Sequence, residues 1–169
     1  MKNTAILIAA LLCAAPAWAQ EGQTEISNLN AGPGAGPDLH AAVVENARRA
    51  TQALRANDFR TARRYAQLVT RGDPGNPEAW LMLGAAQRGL MDWKGARASY
   101  GMALRMAPTG VAAHAGLGVA LARLGDAGAA KELAWLAAKA DTCAANCAAI
   151  AAGRSDVAAA MAAGGGKPG

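Results

Sequence analysis

The sequence predicts an all-α fold, an α-solenoid of about three stacked helical hairpins followed by a C-terminal capping helix. Three observations carry that expectation. The chain of 169 residues is 53% hydrophobic but only 4% aromatic, and alanine is its commonest residue; such a composition favours helix by propensity and disfavours strand. The segments Asn57-Asp-Phe-Arg-Thr-Ala62, Met91-Asp-Trp-Lys-Gly-Ala96 and Gly125-Asp-Ala-Gly-Ala-Ala130 each open on a turn residue followed by Asp, and their starts lie 34 residues apart. Pro74 and Pro108 are separated by the same 34 residues, so the chain is a tandem array in which each unit is a supersecondary element.

The first element is a signal segment over residues 1–19. Lys2 supplies its positive start, Ala5 to Ala15 an apolar stretch, and Ala17-Trp18-Ala19 a small-x-small cleavage site. The mature chain is expected to start at Gln20. The apolar stretch falls short of the roughly 20 residues that span a bilayer, which disfavours an uncleaved anchor and leaves no transmembrane segment after cleavage. Leu12 directly before Cys13 does not match a lipid-attachment signal. Export to the periplasm or beyond follows.

Residues 20–37 are polar and rich in Gly and Pro, as in Ala31-Gly-Pro-Gly-Ala-Gly-Pro37, and read as a flexible tether. Asp38 offers an N-cap for the helical domain, residues 38–163. Within it the repeats run about 43–76, 77–110 and 111–144, with a cap over 145–163 in which Cys147 to Ala152 and Ser155 to Ala163 are the candidate helical pieces, Ser155 serving as N-cap. Residues 164–169 form a disordered tail by composition.

The net charge is +5, or +4 without Lys2, a mild basic bias. An exported chain without aromatics interleaved in its basic stretches does not suit nucleic acid. Cys143 and Cys147, the cysteines left after loss of Cys13, are expected to pair as a structural disulfide in an oxidising compartment. Their Cys-x3-Cys spacing fits neither redox nor haem-attachment motifs.

The middle unit, with Trp80-Leu-Met-Leu83-Gly84, Gln87, Ala96, Tyr100, Ala103 and Pro108, resembles the tetratricopeptide repeat and departs from its pattern only at Gln87. The first unit keeps Ala50, Ala62, Ala66, Val69 and Pro74 but has Asn46 and Arg49 in the Trp and Leu slots. The third keeps Leu117-Gly118, Ala130 and Ala137, with His114, Ala134 and Thr142 in the Trp, Phe and Pro slots. Small residues at Gly84, Ala96, Ala103, Gly118, Ala130 and Ala137 let helices approach, while Trp80, Leu83, Tyr100, Leu104 and Leu117 fill the space between hairpins. Asp58, Asp92 and Asp126 read as cap residues at the hairpin turns.

The residues give little ground for an enzyme. His40 and His114 are the only groups with an ordinary titration near neutrality, and no catalytic spacing accompanies them. His114 reads as a packed interhelical residue. No catalytic residue, metal site or cofactor is expected.

The resemblance implies that the first helix of each hairpin lines a concave groove, which assigns Arg48, Arg55, Leu81, Met82, Ala85, Arg88, Val119 and Arg123 to a partner-binding face. Arg55, Arg88 and Arg123 are expected to form a basic row beside an apolar floor, suited to an acidic or amphipathic segment of an envelope protein or peptide. The two-carboxylate clamp of chaperone-binding relatives is not expected, because Ala47 and Met82 stand where its polar groups belong. The expected function is therefore a periplasmic adaptor or assembly factor. The alternatives are a thiol-disulfide protein acting through Cys143 and Cys147 and an accessory subunit of an exported enzyme.

Overall fold

The computed structural model describes residues 37–143 and 146–164. The expected signal segment, the tether up to residue 36 and the tail over 165–169 lie outside them. The described residues form seven helices and no strand: α1 (Pro37–Arg55), α2 (Phe59–Gly72), α3 (Pro77–Gly89), α4 (Trp93–Met106), α5 (Val111–Arg123), α6 (Gly128–Asp141) and α7 (Cys147–Gly164). Each helix packs on the next, and α1 also approaches α3, as α3 does α5. No Cα of α2 comes within 8 Å of α4, nor of α4 within 8 Å of α6. The first helices of the hairpins thus form an inner layer and the second helices splay on the outer side.

The 34-residue period is written into the backbone of the hairpin turns. Asn57, Met91 and Gly125 all have positive φ, at 56°, 59° and 70°. After each, the Asp N–H donates back to the carbonyl five residues earlier, Asp58 to Ala53, Asp92 to Gln87 and Asp126 to Leu121, each at 2.9 Å. This is the 6→1 closure of a helix that ends on a left-handed residue. The Asp side chains then cap the next helix: Asp58 accepts from Thr61 N at 3.2 Å and Asp92 from Gly95 N at 3.0 Å. The hydrogen bonds from Thr61 hold the Asp58 carboxyl below its ordinary range.

Turns between hairpins use proline. Gly110 N donates to Ala107 O across Pro108, and Asn76 N to Asp73 O across Pro74, with Pro preset for the second position of a turn. The third such turn has Thr142 in place of proline, and there Cys143 and Cys147 are joined as a disulfide with Cα atoms 5.7 Å apart. A covalent link stands where the repeat has lost its rigid residue.

Tyr100 is 2% exposed, and its ring lies between α3 and α5. A Cβ on Gly84 would come within 2.8 Å of that ring, and one on Gly116 would overlap it. Two glycines on facing helices therefore make the slot that the aromatic fills. Trp80, expected in the core, is half-buried; it packs against both neighbouring clusters while its Nε1–H donates to Pro74 O at 2.9 Å. Gln87 departs from the repeat pattern because its side-chain amide serves buried Ser99 at 2.6 Å and the carbonyls of Leu83 and Gly95.

Three sequence expectations need correction. In α6 the buried residues are Ala129 and Leu136, while Ala130 is exposed and Ala137 only partly buried, so the packed face has slipped by one residue from the repeat. The cause is local: the N-cap position falls on Ala127 and not on Asp126, which instead accepts from Gly128 N at 2.8 Å from one residue further out, and Leu133 and Leu136 offer larger apolar groups than Ala134 and Ala137. Asp38 sits inside the first turn of α1, which begins at Pro37, a residue suited to a first helical turn because it has no N–H to satisfy. Ser155 is an exposed interior residue of one continuous α7, which runs through buried Gly153. A Cβ at Gly153 would lie 2.8 Å from the Ala115 methyl, so a residue that breaks the alanine run in sequence permits close α5–α7 packing in space.

Candidate partner-binding groove

The inner layer forms an open groove of about 750 Å³ whose walls come from α3, α5 and α7, with Leu54 of α1 at one end. Its floor is a row in strict 34-residue register: Leu81, Ala115 and Ala149. Ala85, Val111 and Gly116 widen it, and Glu78, Arg88 and Asp156 are its charged lining residues. Alanine is the commonest lining residue, and its short side chains leave a shallow apolar surface.

Of the residues expected in the groove, Leu81, Met82, Ala85 and Arg88 line it. Met82 is 7% exposed and belongs mainly to the cluster of Ala50, Val69 and Leu83, where Thr51 Oγ1 donates to its sulfur at 3.5 Å. Val119 is 8% exposed and is packed against Leu136 and Val157. Neither presents an apolar anchor to a ligand.

The arginines do not form the expected row. Arg55 and Arg123 are in register with Gly89, whereas Arg88 is in register with Leu54, Ala122 and Asp156; one residue along a helix turns the side chain by about 100°. Arg123 is exposed, with its guanidinium 5.7 Å from the Trp93 ring centroid. Arg55 is exposed, and neither it nor Arg123 lines the groove. Arg88 Nη1 lies 3.9 Å from Asp156 Oδ2, with the two side chains 41% and 60% exposed, so that pair adds little stability. One cation and two carboxylates give this groove a slight formal negative charge, not a basic one.

Arg48 belongs to the end of the array. Ala79, Met82, Leu83 and Ala86 of α3 are buried, and the residues 34 earlier are Glu45, Arg48, Arg49 and Gln52. Glu45 accepts from Arg48 Nε at 2.8 Å and from Arg49 Nε at 2.7 Å, hydrogen bonds that hold its carboxyl down to about 2. A polar stacking face is what keeps a terminal repeat from recruiting another.

Sequence reasoning missed Ala112, Ala115, Ala149 and Asp156. The signal was present, since adding 34 to Leu81 gives Ala115 and then Ala149, but short side chains do not stand out in an alanine-rich chain. Burial pushes the Tyr100 phenol at the groove wall above its ordinary value, against a smaller opposing effect from Arg88, so it stays neutral. Among the described residues no three His, Cys, Asp or Glu side chains cluster to hold a metal, and no helix is long and apolar enough to cross a membrane. No family profile matches this chain, and no curated protein matches its sequence.

Proposed function

We propose that this chain is a tetratricopeptide-repeat-type binding module of a bacterial cell envelope, an adaptor or assembly factor that takes an amphipathic segment of a partner protein into its groove. The observation that carries the reading is the set of apolar residues Leu81, Ala115 and Ala149, spaced by 34, that line one open groove. Short side chains in the floor suit a partner that brings its own large apolar residues, laid down as a helix or an extended strand. Arg88 is half-buried and only loosely held by Asp156, 3.9 Å away, so a carboxylate on the partner can take it over as a charge-assisted pair. Export is supported by the signal-like sequence of residues 1–19 and by the Cys143–Cys147 link, of a kind that persists in oxidising compartments.

The test is affinity purification from envelope fractions with wild type and the variant Ala112→Arg/Ala149→Arg. Both positions are exposed and line the groove, so the variant fills it without touching the core. The same discrete companion should come down with wild type and be lost from an equally folded variant. Equal recovery with both proteins would place the binding face elsewhere.

A further inference from the structure

The basic excess of the described residues lies on two of the outer helices, α2 and α4; the third, α6, balances Lys131 and Lys139 with Glu132 and Asp141. Helices α2 and α4 carry Arg60, Arg63, Arg64, Arg71, Lys94, Arg97 and Arg105 and contain no Asp or Glu. All seven are exposed. Three pairs repeat in the 34-residue register, Arg60 with Lys94, Arg63 with Arg97 and Arg71 with Arg105, so neighbouring hairpins present them at matching heights along parallel helices. From Arg60 to Arg71 this face runs for about 16 Å along the helix. Among the described residues Arg97 is the one member with a carboxylate in ion-pair range, Asp126 Oδ2 at 3.4 Å. Carboxylates near this face otherwise sit at helix ends, where Asp58 and Asp92 are occupied as N-caps and Asp73 follows the last turn of α2.

We infer that this outer face docks the protein on an anionic lipid bilayer. A packed helical repeat has no structural use for seven outward cations in two helices without a carboxylate, since self-repulsion opposes the fold. One cleft on this face is lined by Lys94 and Arg97, but Asp126 lines it too, with its carboxylate 3.4 Å from Arg97, which opposes capture of a single phosphate there. The remaining cations are spread along the two helices, and that distribution suits a fluid array of headgroups which rearranges around them. Leu68 is 37% exposed between Arg64 and Arg71 on α2, an apolar contact of use at the headgroup boundary and of none to a nucleic acid backbone. A single-stranded polynucleotide needs free aromatic platforms, yet Tyr65 of α2 is already covered by Arg49 and Arg64, whose guanidinium carbons lie 5.5 and 5.9 Å from its ring centroid. Docked this way, the module turns its groove away from the membrane. The inference stands on α2 and α4 and does not depend on the groove reading.

The experiment is co-sedimentation of the full chain with vesicles of pure phosphatidylcholine and of phosphatidylcholine mixed with phosphatidylglycerol, at low salt and near 1 M salt, where the screening length falls to about 3 Å. The variant carries Arg60→Gln, Arg63→Gln, Arg71→Gln, Lys94→Gln, Arg97→Gln and Arg105→Gln; its residues outside α2 and α4 are unchanged, so anchoring through the N-terminal apolar stretch is common to both proteins. Each cation that reaches the surface strengthens partition about fivefold, so three in contact predict a roughly 100-fold loss in the variant. Wild type should prefer the anionic vesicles and lose that preference at high salt. A second variant, Gln67→Glu/Ala98→Glu, adds carboxylates at exposed positions of the same two helices and should weaken binding as well, which covers misfolding of the first. Equal partition of wild type and both variants, no gain over pure phosphatidylcholine, or tighter binding to a duplex oligonucleotide than to anionic vesicles would each overturn the inference.

Discussion

Trp80 and His114, one repeat apart, make the same tether. Trp80 Nε1–H donates to Pro74 O at 2.9 Å, and His114 Nε2 lies 2.9 Å from Pro108 O. In each case a ring nitrogen ties the first helix of a hairpin to the proline turn six residues before it. His114 then does more than the tryptophan it replaces: Nδ1 is 2.6 Å from Glu132 Oε2, and the ring stacks on Trp135 with centroids 3.6 Å apart. A carbonyl oxygen thus faces one ring nitrogen and a carboxylate the other, both within hydrogen-bond distance.

His114→Ala should therefore destabilise by about 2–4 kcal/mol, because it removes two hydrogen bonds and leaves a largely buried carboxylate unpaired. A double-mutant cycle with Glu132→Ala, followed by urea unfolding, should give a coupling of about 1–3 kcal/mol. Strictly additive losses would show that the pair does not interact.

Glycines around Tyr100 should separate by position. Gly84→Ala and Gly116→Ala push a methyl into the ring and should each cost about 1–3 kcal/mol. Gly101→Ala, with nothing near its added carbon, should stabilise by about 0.5–1 kcal/mol through helix propensity. Thermal melts of the three variants check the ordering, and a stabilised Gly116→Ala would contradict the packing.

Met91 holds the left-handed turn position that Asn57 and Gly125 occupy in the other hairpins, and it is 72% exposed. A methionine there carries a steric cost of about 1–2 kcal/mol, partly offset by its smaller loss of chain entropy relative to glycine. Met91→Gly should raise stability by roughly 0.5–1 kcal/mol. A lowered melting temperature would mean the turn has another conformation in solution.

Removing the disulfide should act locally. Cys143→Ser/Cys147→Ser opens a loop whose closure is worth at most about 2 kcal/mol, so hydrogen exchange should quicken in α7 and leave α1 to α4 unchanged. Uniform quickening along the chain would instead make the link a global clamp.

Much of this architecture was legible in the sequence because the period constrains backbone as well as side chains. The three turns at Asn57, Met91 and Gly125, the caps at Asp58 and Asp92, and buried Tyr100 all follow from it. What was not legible came from single-residue offsets. Arg88 looked like part of a row with Arg55 and Arg123, but a row requires position 89, and that is glycine. The one-residue slip of α6 depends on how Leu133 and Leu136 compete with the repeat's alanines for the core, a packing outcome that spacing alone does not reveal. The groove floor was obscured for the opposite reason, since Ala115 and Ala149 are indistinguishable by type from the many alanines around them.

The most direct test of the binding face is site-specific photo-crosslinking in the intact envelope, with a benzoylphenylalanine placed at Ala149 in the groove or at Ala98 on α4. Both positions are exposed. A discrete protein adduct from position 149, absent from position 98, is the predicted result. The same protein adduct from both positions, or a protein adduct from position 98 alone, would contradict the account.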